Sequence, residues 1–186
     1  MRKISLSQLK EKVRLAVQEA NFVIDKDLKG LIQGCRPAEE SPAGQEVLDQ
    51  ILKNADIAAE EKLALCQDTG LAVFFVELGE KVKLQYDGFA SLADAIRQGT
   101  AEGYKEGYLR KSVCDPLSRK NSGDNTPVFI HWDVVAGDAF KMTFMAKGGG
   151  AENMSALKMM PPSAGAKGLE DFVVDTVAKA GPNPCP

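Results

Sequence analysis

Two cysteines of this chain stand in sequence contexts that suit metal ligands or reactive thiols. Cys66 opens the run CQDTG at residues 66–70, and Cys185 lies within GPNPCP at residues 181–186. A thiol held in a turn beside polar groups is typical of a ligand or nucleophile, whereas a structural cysteine usually fills an apolar core. A glycine-rich run and a long polar stretch lie between the two motifs. This combination predicts a metal-dependent enzyme.

The remaining two cysteines have no such surroundings. We expect Cys35 and Cys114 to be small buried or half-buried residues, and the scattered cysteines without Cys-x-x-Cys pairs to be reduced thiols. A structural zinc site needs four ligands, and a chain with one histidine and dispersed cysteines fits no standard zinc pattern. A non-catalytic assembly module whose thiols bind zinc or nothing stays an alternative. The histidine, His131, falls in a predicted strand and is expected to be a packing or surface residue.

Length and charge limit the class of protein further. A chain of 186 residues is long enough for one domain or slightly more and for a substantial core. The net charge of −3 is spread in both signs, which argues against nucleic acid or an anionic membrane as the main partner. No apolar run reaches the roughly 18 residues of a membrane helix, and polar residues interrupt any signal-peptide pattern near the N-terminus. We therefore expect a cytoplasmic protein with a small ligand.

Periodicity and capping signals predict four helices that must position these motifs. One follows Ser5 with apolar residues from Leu9 to Ala20, and a second follows Ser41-Pro42 with an apolar stripe, residues 47–52, assigned to the core. A third is expected from residues 91 to about 112, where three glycines four residues apart would allow close packing. A fourth carries apolar residues from Leu169 and ends at Gly181.

Strand-like runs occur in two places. Residues 71–78 and 82–86 are predicted to form a strand pair, and residues 128–135 and 139–146 a hairpin around Ala136-Gly137-Asp138. Residues 115–127 are too polar and too rich in turn residues for anything but a long loop, and such loops often carry function. The glycine run after the second pair could bind a carboxylate or phosphate through backbone N–H groups, or be a plain strand-exit loop.

Four motifs in order resemble those of one enzyme family. They are CQDTG at 66–70, NSGDNTP at 121–127, KGGGAEN at 147–153 and GPNPCP at 181–186. The pattern is similar to that of iron–sulfur hydro-lyases of the class I fumarase and L-tartrate dehydratase family, in their α subunit or N-terminal catalytic region. The resemblance covers nearly the whole chain. Residues 1–186 are accordingly expected to be the N-terminal part of a catalytic α domain, with an α+β fold of helices around antiparallel strands and a site built from loops at strand ends.

The resemblance implies a [4Fe–4S] cluster held by three cysteines, with one iron left open for substrate. Cys66 and Cys185 match the first two cysteines of the family. Its third cysteine and a histidine are expected beyond residue 186, so this sequence looks like a truncated α region that would be inactive by itself. Neither Cys35 nor Cys114 matches the third ligand.

The resemblance also implies which residues contact the substrate. Arg110 matches a clamp for a substrate carboxylate, Gln67 and Asp68 match polar residues of the same pocket, and Gly149 matches a backbone contact. Asp68 is a candidate acid/base group. The alternative interpretation is a solvated charge at a helix end for Arg110 and a turn-forming residue for Asp68. Asp124 and Asn125 are expected to support the loop through side-chain to backbone hydrogen bonds.

Function and partners follow from the same resemblance. The expected reaction is the reversible addition of water to a small dicarboxylate, fumarate to malate first, with L-tartrate dehydration as the alternative. A β subunit or a C-terminal swivelling domain is expected to complete the pocket, in a homodimer or heterotetramer.

Overall fold

The fold is α+β, as the sequence predicts, and the computed structural model describes residues 2–182. The chain forms two compact units, of which the first ends at Lys147 and the second begins at Gly148. Cys185 lies outside the described residues. The first unit contains, in order, β1 (Lys3–Ser5), α1 (Leu6–Phe22), α2 (Lys26–Cys35), α3 (Pro42–Glu61), β2 (Leu71–Gly79), β3 (Lys83–Gln85), α4 (Leu92–Glu106), β4 (Phe129–Val135) and β5 (Phe140–Lys147).

Each of the three longest helices of this unit begins after a serine whose side chain caps the helix N-terminus. The hydroxyl oxygen of Ser5 accepts a hydrogen bond from the Gln8 N–H, and Ser41 and Ser91 accept equivalent bonds at the start of α3 and α4. Each cap satisfies an N–H group that has no partner within its helix. The predicted start of α1 at Ser5 and of α3 at Ser41-Pro42 is therefore confirmed.

Helices α1 and α4 pack against each other through glycine. A Cβ atom at Gly99 would lie 2.5 Å from the Lys10 carbonyl oxygen, and one at Gly103 would lie 2.9 Å from the Arg14 carbonyl oxygen. The glycine spacing therefore does allow close packing. Ion pairs Lys10–Glu102 and Arg14–Glu106, both at 2.6 Å, flank the contact. The apolar faces of both helices cover one side of a three-stranded sheet and form the core with it.

The sheet has the order β4-β2-β5, with β2 in the centre. Strand β2 runs antiparallel to β5 and parallel to β4, and β1 pairs with β3 in parallel. Among the described residues, the expectation of antiparallel strands therefore holds for the β2–β5 pair alone of these three pairs. The predicted hairpin of residues 128–135 and 139–146 is therefore wrong in its pairing, because both strands bond to β2 and not to each other. Their connection crosses the end of β2, where the Gly79 N–H donates to the Ala139 carbonyl at 2.7 Å. A Cβ at Gly79 would lie only 2.6 Å from the Gly137 carbonyl oxygen, so this crossing requires glycine.

Two further expectations differ from the structure. The predicted pair of residues 71–78 and 82–86 does not form, because β3 pairs in parallel with β1 at the N-terminus. The apolar stripe of α3 is not core: Val47 is exposed, residues 48, 51 and 52 are half-buried, and only Ala55 and Ala58 of this helix are buried. Helical periodicity identifies an apolar face but does not say what covers it.

The second unit contains two short 3-10 helices, Ala151–Met154 and Pro162–Ala164, followed by α5 (Gly165–Ala180). The helix ends at Gly181, which has a φ of 56°, as predicted for a glycine after a helix C-terminus. In residues 2–182, no helix is both long enough and apolar enough to cross a membrane. The cytoplasmic location stays a prediction from the sequence.

A single methyl group tests the α1–α4 contact. We expect Gly99→Ala to destabilise the protein by about 1–3 kcal/mol, because the new Cβ overlaps the backbone of α1. Gly30→Ala in α2 is the matched control: no atom lies within 4 Å of its Cβ position, so the change should stabilise by about 0.5–1 kcal/mol through helix propensity. Denaturant unfolding of both variants measures the difference. Equal effects at the two positions would contradict the packing.

Candidate functional site

Cys66 opens the loop of residues 66–70, which leads into strand β2. Cys66 is half-buried, and its sulfur lies 3.5 Å from the Asp68 backbone N–H, which donates to it. The thiol in turn donates to the Gln67 side-chain oxygen at 3.1 Å. Gln67 itself is exposed. The sulfur of Cys66 is thus half-buried and takes part in two hydrogen bonds within its own loop.

Asp68 is fixed by two neighbours. Its Oδ1 accepts a hydrogen bond from the Gly70 backbone N–H at 3.0 Å and another from the Ser112 hydroxyl at 3.3 Å. The first bond is the Asx-type turn expected from the sequence, and the second joins the loop to a segment 44 residues further along the chain. The carboxyl group therefore has a defined orientation.

Side chains of α3 and α4 anchor the loop through hydrogen bonds. The Asn54 side chain donates to the Leu65 carbonyl at 2.9 Å, just before Cys66. The Tyr104 hydroxyl lies in the core and donates to the carbonyl oxygens of Thr69 at 2.7 Å and Gly70 at 3.2 Å. Burial raises the pKa of Tyr104 to about 12, and the nearby Asp68 charge acts in the same direction. The phenol therefore stays protonated and can donate to both carbonyl groups.

Gly70 is the one position of the motif at which the backbone requires glycine. Its φ is 72°, and a Cβ atom would lie 2.6 Å from the Lys147 carbonyl oxygen at the end of β5. The chain can enter β2 beside β5 only because this side chain is absent.

The Arg110 segment, residues 110–113, follows the turn that ends α4. Gly107 caps the helix, Tyr108 has a φ of 53°, and Leu109 is buried, so the chain turns sharply before Arg110. The Thr69 hydroxyl then donates to the Arg110 carbonyl at 2.7 Å, which attaches this segment to the Cys66 loop. The Arg110 side chain is exposed, and no carboxylate within residues 2–182 forms an ion pair with it. Its guanidinium is therefore presented to solvent.

Asn125 joins both segments from inside the protein. Its side chain has no solvent exposure, and its Oδ1 accepts from the backbone N–H groups of Ser112 at 2.7 Å and Val113 at 3.0 Å. Its Nδ2 donates to the Gly70 carbonyl at 3.1 Å. Asp124 bonds locally, accepting from the backbone and hydroxyl of Thr126. The expectation that these two residues support the loop through side-chain to backbone bonds is confirmed.

The structure thus brings together part of the predicted site. The loop of residues 66–70 and the Arg110 segment share hydrogen bonds, whereas Gly149 belongs to the second compact unit and Cys185 lies outside the described residues. Within residues 2–182, no group of three or more His, Cys, Asp and Glu side chains gathers as a metal site would require. The assignments of substrate and metal ligands stay predictions.

The other cysteines and the histidine have ordinary environments. Cys114 is half-buried as expected, but Cys35 is exposed at the end of α2, so the expectation of burial was wrong there. His131 lies on β4 and stacks on Phe75 with ring centroids 4.9 Å apart, which confirms a packing or surface role. Sequence reasoning missed Thr69 and Tyr104 as supports of the site, because their partners are distant in sequence and leave no local pattern.

Comparison with known proteins agrees with the family resemblance of the four sequence motifs. The family described as Fumarate hydratase (Fumerase) matches residues 10–186 of the chain. A provisionally named L(+)-tartrate dehydratase subunit alpha from Methanocaldococcus jannaschii is 34% identical over 91% of this chain and 60% of its own length.

Two relatives from Escherichia coli K12 are also similar. The aerobic class I fumarate hydratase is 34% identical over 81% of this chain and 28% of its own length. The L(+)-tartrate dehydratase subunit alpha is 30% identical over 88% of this chain and 52% of its own length. The chain therefore spans less than two thirds of the length of these relatives.

The buried phenol makes a testable prediction about high pH. We expect one tyrosine ionisation with a midpoint at about pH 12, which Tyr104→Phe removes and Tyr108→Phe retains. Because the unfolded tyrosine has a pKa near 10, the unfolded state loses this proton first, and stability present below pH 10 is lost as the pH rises towards 12. The loss relative to Tyr104→Phe should reach about 2–3 kcal/mol. Absorbance titration and denaturant unfolding measure both effects. Parallel stability curves for the two proteins would contradict the burial of an un-ionised phenol.

Proposed function

The chain belongs to the Fumarate hydratase (Fumerase) family, and on that premise we propose that it is the N-terminal part of the catalytic α domain of an iron–sulfur hydro-lyase. The proposed reaction adds water to a small dicarboxylate or removes it, with fumarate to malate as the first candidate. One observation carries the proposal: the Asp68 loop and the Arg110 segment are tied together by the Thr69–Arg110 and Ser112–Asp68 hydrogen bonds. A thiol, a carboxyl group and an exposed guanidinium are thus supported by one hydrogen-bonded network.

The surroundings of Cys66 fit a ligand of an iron–sulfur cluster. Cysteine sulfur is the ligand that such clusters use, and the Cys66 sulfur is half-buried in a loop and accepts a hydrogen bond from a backbone N–H. We propose Cys66 and Cys185 as two of three ligands of a [4Fe–4S] cluster, with a third cysteine beyond residue 186. When bound, the cluster supplies Lewis-acid activation of water or of a substrate hydroxyl.

The protein's own residues then have separate tasks. Arg110 binds one substrate carboxylate, where its planar guanidinium can form two parallel charge-assisted hydrogen bonds. This also stabilises the negative charge that develops on the substrate when a C–H proton is removed. Gln67 orients the substrate, and Gly149 contributes a backbone contact.

Asp68 is the proposed acid/base residue. A proton-transfer group must be held at a fixed position relative to the substrate C–H bond. The Gly70 N–H and the Ser112 hydroxyl, both bonded to Oδ1, provide this orientation. The carboxyl group can then accept a proton in the dehydration direction and return it in hydration.

L-Tartrate dehydration is the second candidate, because two relatives that match at least 88% of the chain carry that name. Their description as alpha subunits also supports a β subunit, or an equivalent C-terminal swivelling domain, as the partner in a homodimer or heterotetramer. Anaerobic assay of the intact enzyme, expressed from the full gene with any partner subunit, against fumarate, malate and L-tartrate tests both activities. Turnover of none of the three would overturn the proposed function and favour a non-catalytic metal-binding module.

The first mutational prediction concerns Arg110. A charge-assisted hydrogen bond contributes about 1.5–3 kcal/mol, so Arg110→Ala should lower kcat/KM at least tenfold while iron and sulfide content stays unchanged. Arg110→Lys keeps the charge but loses the planar fork, so it should rescue little if recognition is bidentate. Steady-state kinetics and metal analysis provide the readouts. Unchanged kinetics in Arg110→Ala would make this residue a surface charge only.

The second mutational prediction concerns the thiols. Cys66→Ser and Cys185→Ser should each abolish activity and cluster retention in the intact enzyme, because serine is a poor ligand for iron in these clusters. Cys35→Ser and Cys114→Ser are the matched controls and should retain both. Iron and sulfide analysis after anaerobic purification measures retention. Full activity in Cys185→Ser would refute its assignment as a ligand.

A further inference from the structure

Hydrogen bonds from two buried residues, Thr69 and Asn125, help to hold the backbone at and after Arg110, where there is no regular secondary structure. The Asn121 side chain, which donates to the Lys111 carbonyl, adds to them. Residues 110–113 lie after α4 and outside every named strand, so no helix or long ladder fixes their backbone. The Arg110 carbonyl accepts from the Thr69 hydroxyl at 2.7 Å, and the two N–H groups that follow, at Ser112 and Val113, donate to Asn125. The backbone on the C-terminal side of Arg110 is therefore held by both Thr69 and Asn125.

Asn125 is chemically suited to this task. A primary amide offers an acceptor oxygen and two N–H donors on one rigid plane. The oxygen serves the two N–H groups after Arg110, while the nitrogen serves the Gly70 carbonyl two residues after Asp68. A carboxylate would place an oxygen against that carbonyl, and a hydroxyl is too short to span both segments. The amide thus sets the spacing between the Arg110 segment and the Asp68 loop.

We propose that Asn125 and Thr69 are positioning residues for dicarboxylate recognition: they act through Arg110 by holding its guanidinium in register with Asp68. This inference rests on the proposed function and deepens it, since it names which residues make Arg110 effective. It predicts that these residues matter for substrate affinity only while Arg110 is present.

Double-mutant cycles in the intact enzyme test the proposal. Arg110→Ala alone should lower kcat/KM at least tenfold, and Asn125→Ala alone should lower it by about as much, mainly through a higher KM. The Asn125→Ala/Arg110→Ala double variant should lose no more than about threefold in kcat/KM beyond Arg110→Ala.

Thr69→Val should lower kcat/KM threefold to tenfold, and Thr69→Ser, which keeps the hydroxyl group, should restore the wild-type value. In the Arg110→Ala background, Thr69→Val should have no further effect. Asp124→Ala, which removes only local bonds of the same loop, is the control and should change kcat/KM less than threefold.

Two measurements separate positioning from general disruption. Binding of succinate, a saturated dicarboxylate that cannot be hydrated, should weaken in Asn125→Ala with the same non-additivity, while iron and sulfide content stays unchanged. Hydrogen exchange at Ser112 and Val113 should accelerate in Asn125→Ala and not in Asp124→Ala. If Asn125→Ala does not fold, the Thr69→Val cycle decides the question.

The outcomes distinguish this inference from the proposed function. If Arg110→Ala affects neither turnover nor succinate binding, the proposed role of Arg110 fails and the inference fails with it. Arg110→Ala can instead lower kcat/KM as expected while Asn125→Ala and Thr69→Val cause their full losses in the Arg110→Ala background as well. In that case the proposed function stands and only the positioning role is overturned.

Discussion

The carbonyl groups of Thr69 and Gly70 impose the constraint on which the rest of the site depends. They lie where an irregular loop enters the central strand β2, and both residues are buried. A buried carbonyl without a hydrogen bond costs about 1–3 kcal/mol, so donors must be brought to this point. The Tyr104 hydroxyl and the Asn125 amide supply them. A helix and a distant loop are thereby attached to the same two residues.

This attachment links the stability of the core to the geometry of the candidate site. Tyr104 can reach the loop only because α4 lies close against α1, which the glycines at 99 and 103 permit. Asn125 can reach it only because residues 115–127 fold back over the Arg110 segment, with a bridge between Cys114 and Asn121. The candidate site residues Cys66, Asp68 and Arg110 are therefore supported by buried polar groups. Such support is what a site needs if its side chains are to keep their positions during reaction.

The sequence predicted the local features of this arrangement well. Serine caps, a proline at the first turn of α3 and the glycine after α5 act within a few residues, so their signals are visible in the chain itself. Strand pairing is not local. Nothing near residues 82–86 indicates that β3 pairs with β1, or that β2 separates β4 from β5, because those choices depend on which surfaces meet in the folded protein.

The same distinction between local and distant interactions applies to the candidate site. Asp68 and Asn125 were identifiable as turn-forming or loop-supporting residues, since Asp and Asn often bond to nearby backbone. The partners of Asn125 were not identifiable, because they are 12, 13 and 55 residues away. Thr69 and Tyr104 had no signal of their own: a hydroxyl that supports a distant carbonyl looks like any other hydroxyl in a sequence.

The same network bears on the choice between fumarate and tartrate. Under the proposed function, Arg110 and Asp68 would act on features that malate and tartrate share, a carboxylate and a C–H bond, so neither residue would distinguish the two substrates. Tartrate has a second hydroxyl, and a site that bonds to it rejects the analogue lacking it strongly, because its own polar group is then left unpaired. Under the proposed function, specificity for tartrate would therefore come from a polar side chain that faces this second hydroxyl. Asp68, together with Arg110 as positioned by Thr69 and Asn125, would set the reaction, and a separate contact would set the substrate.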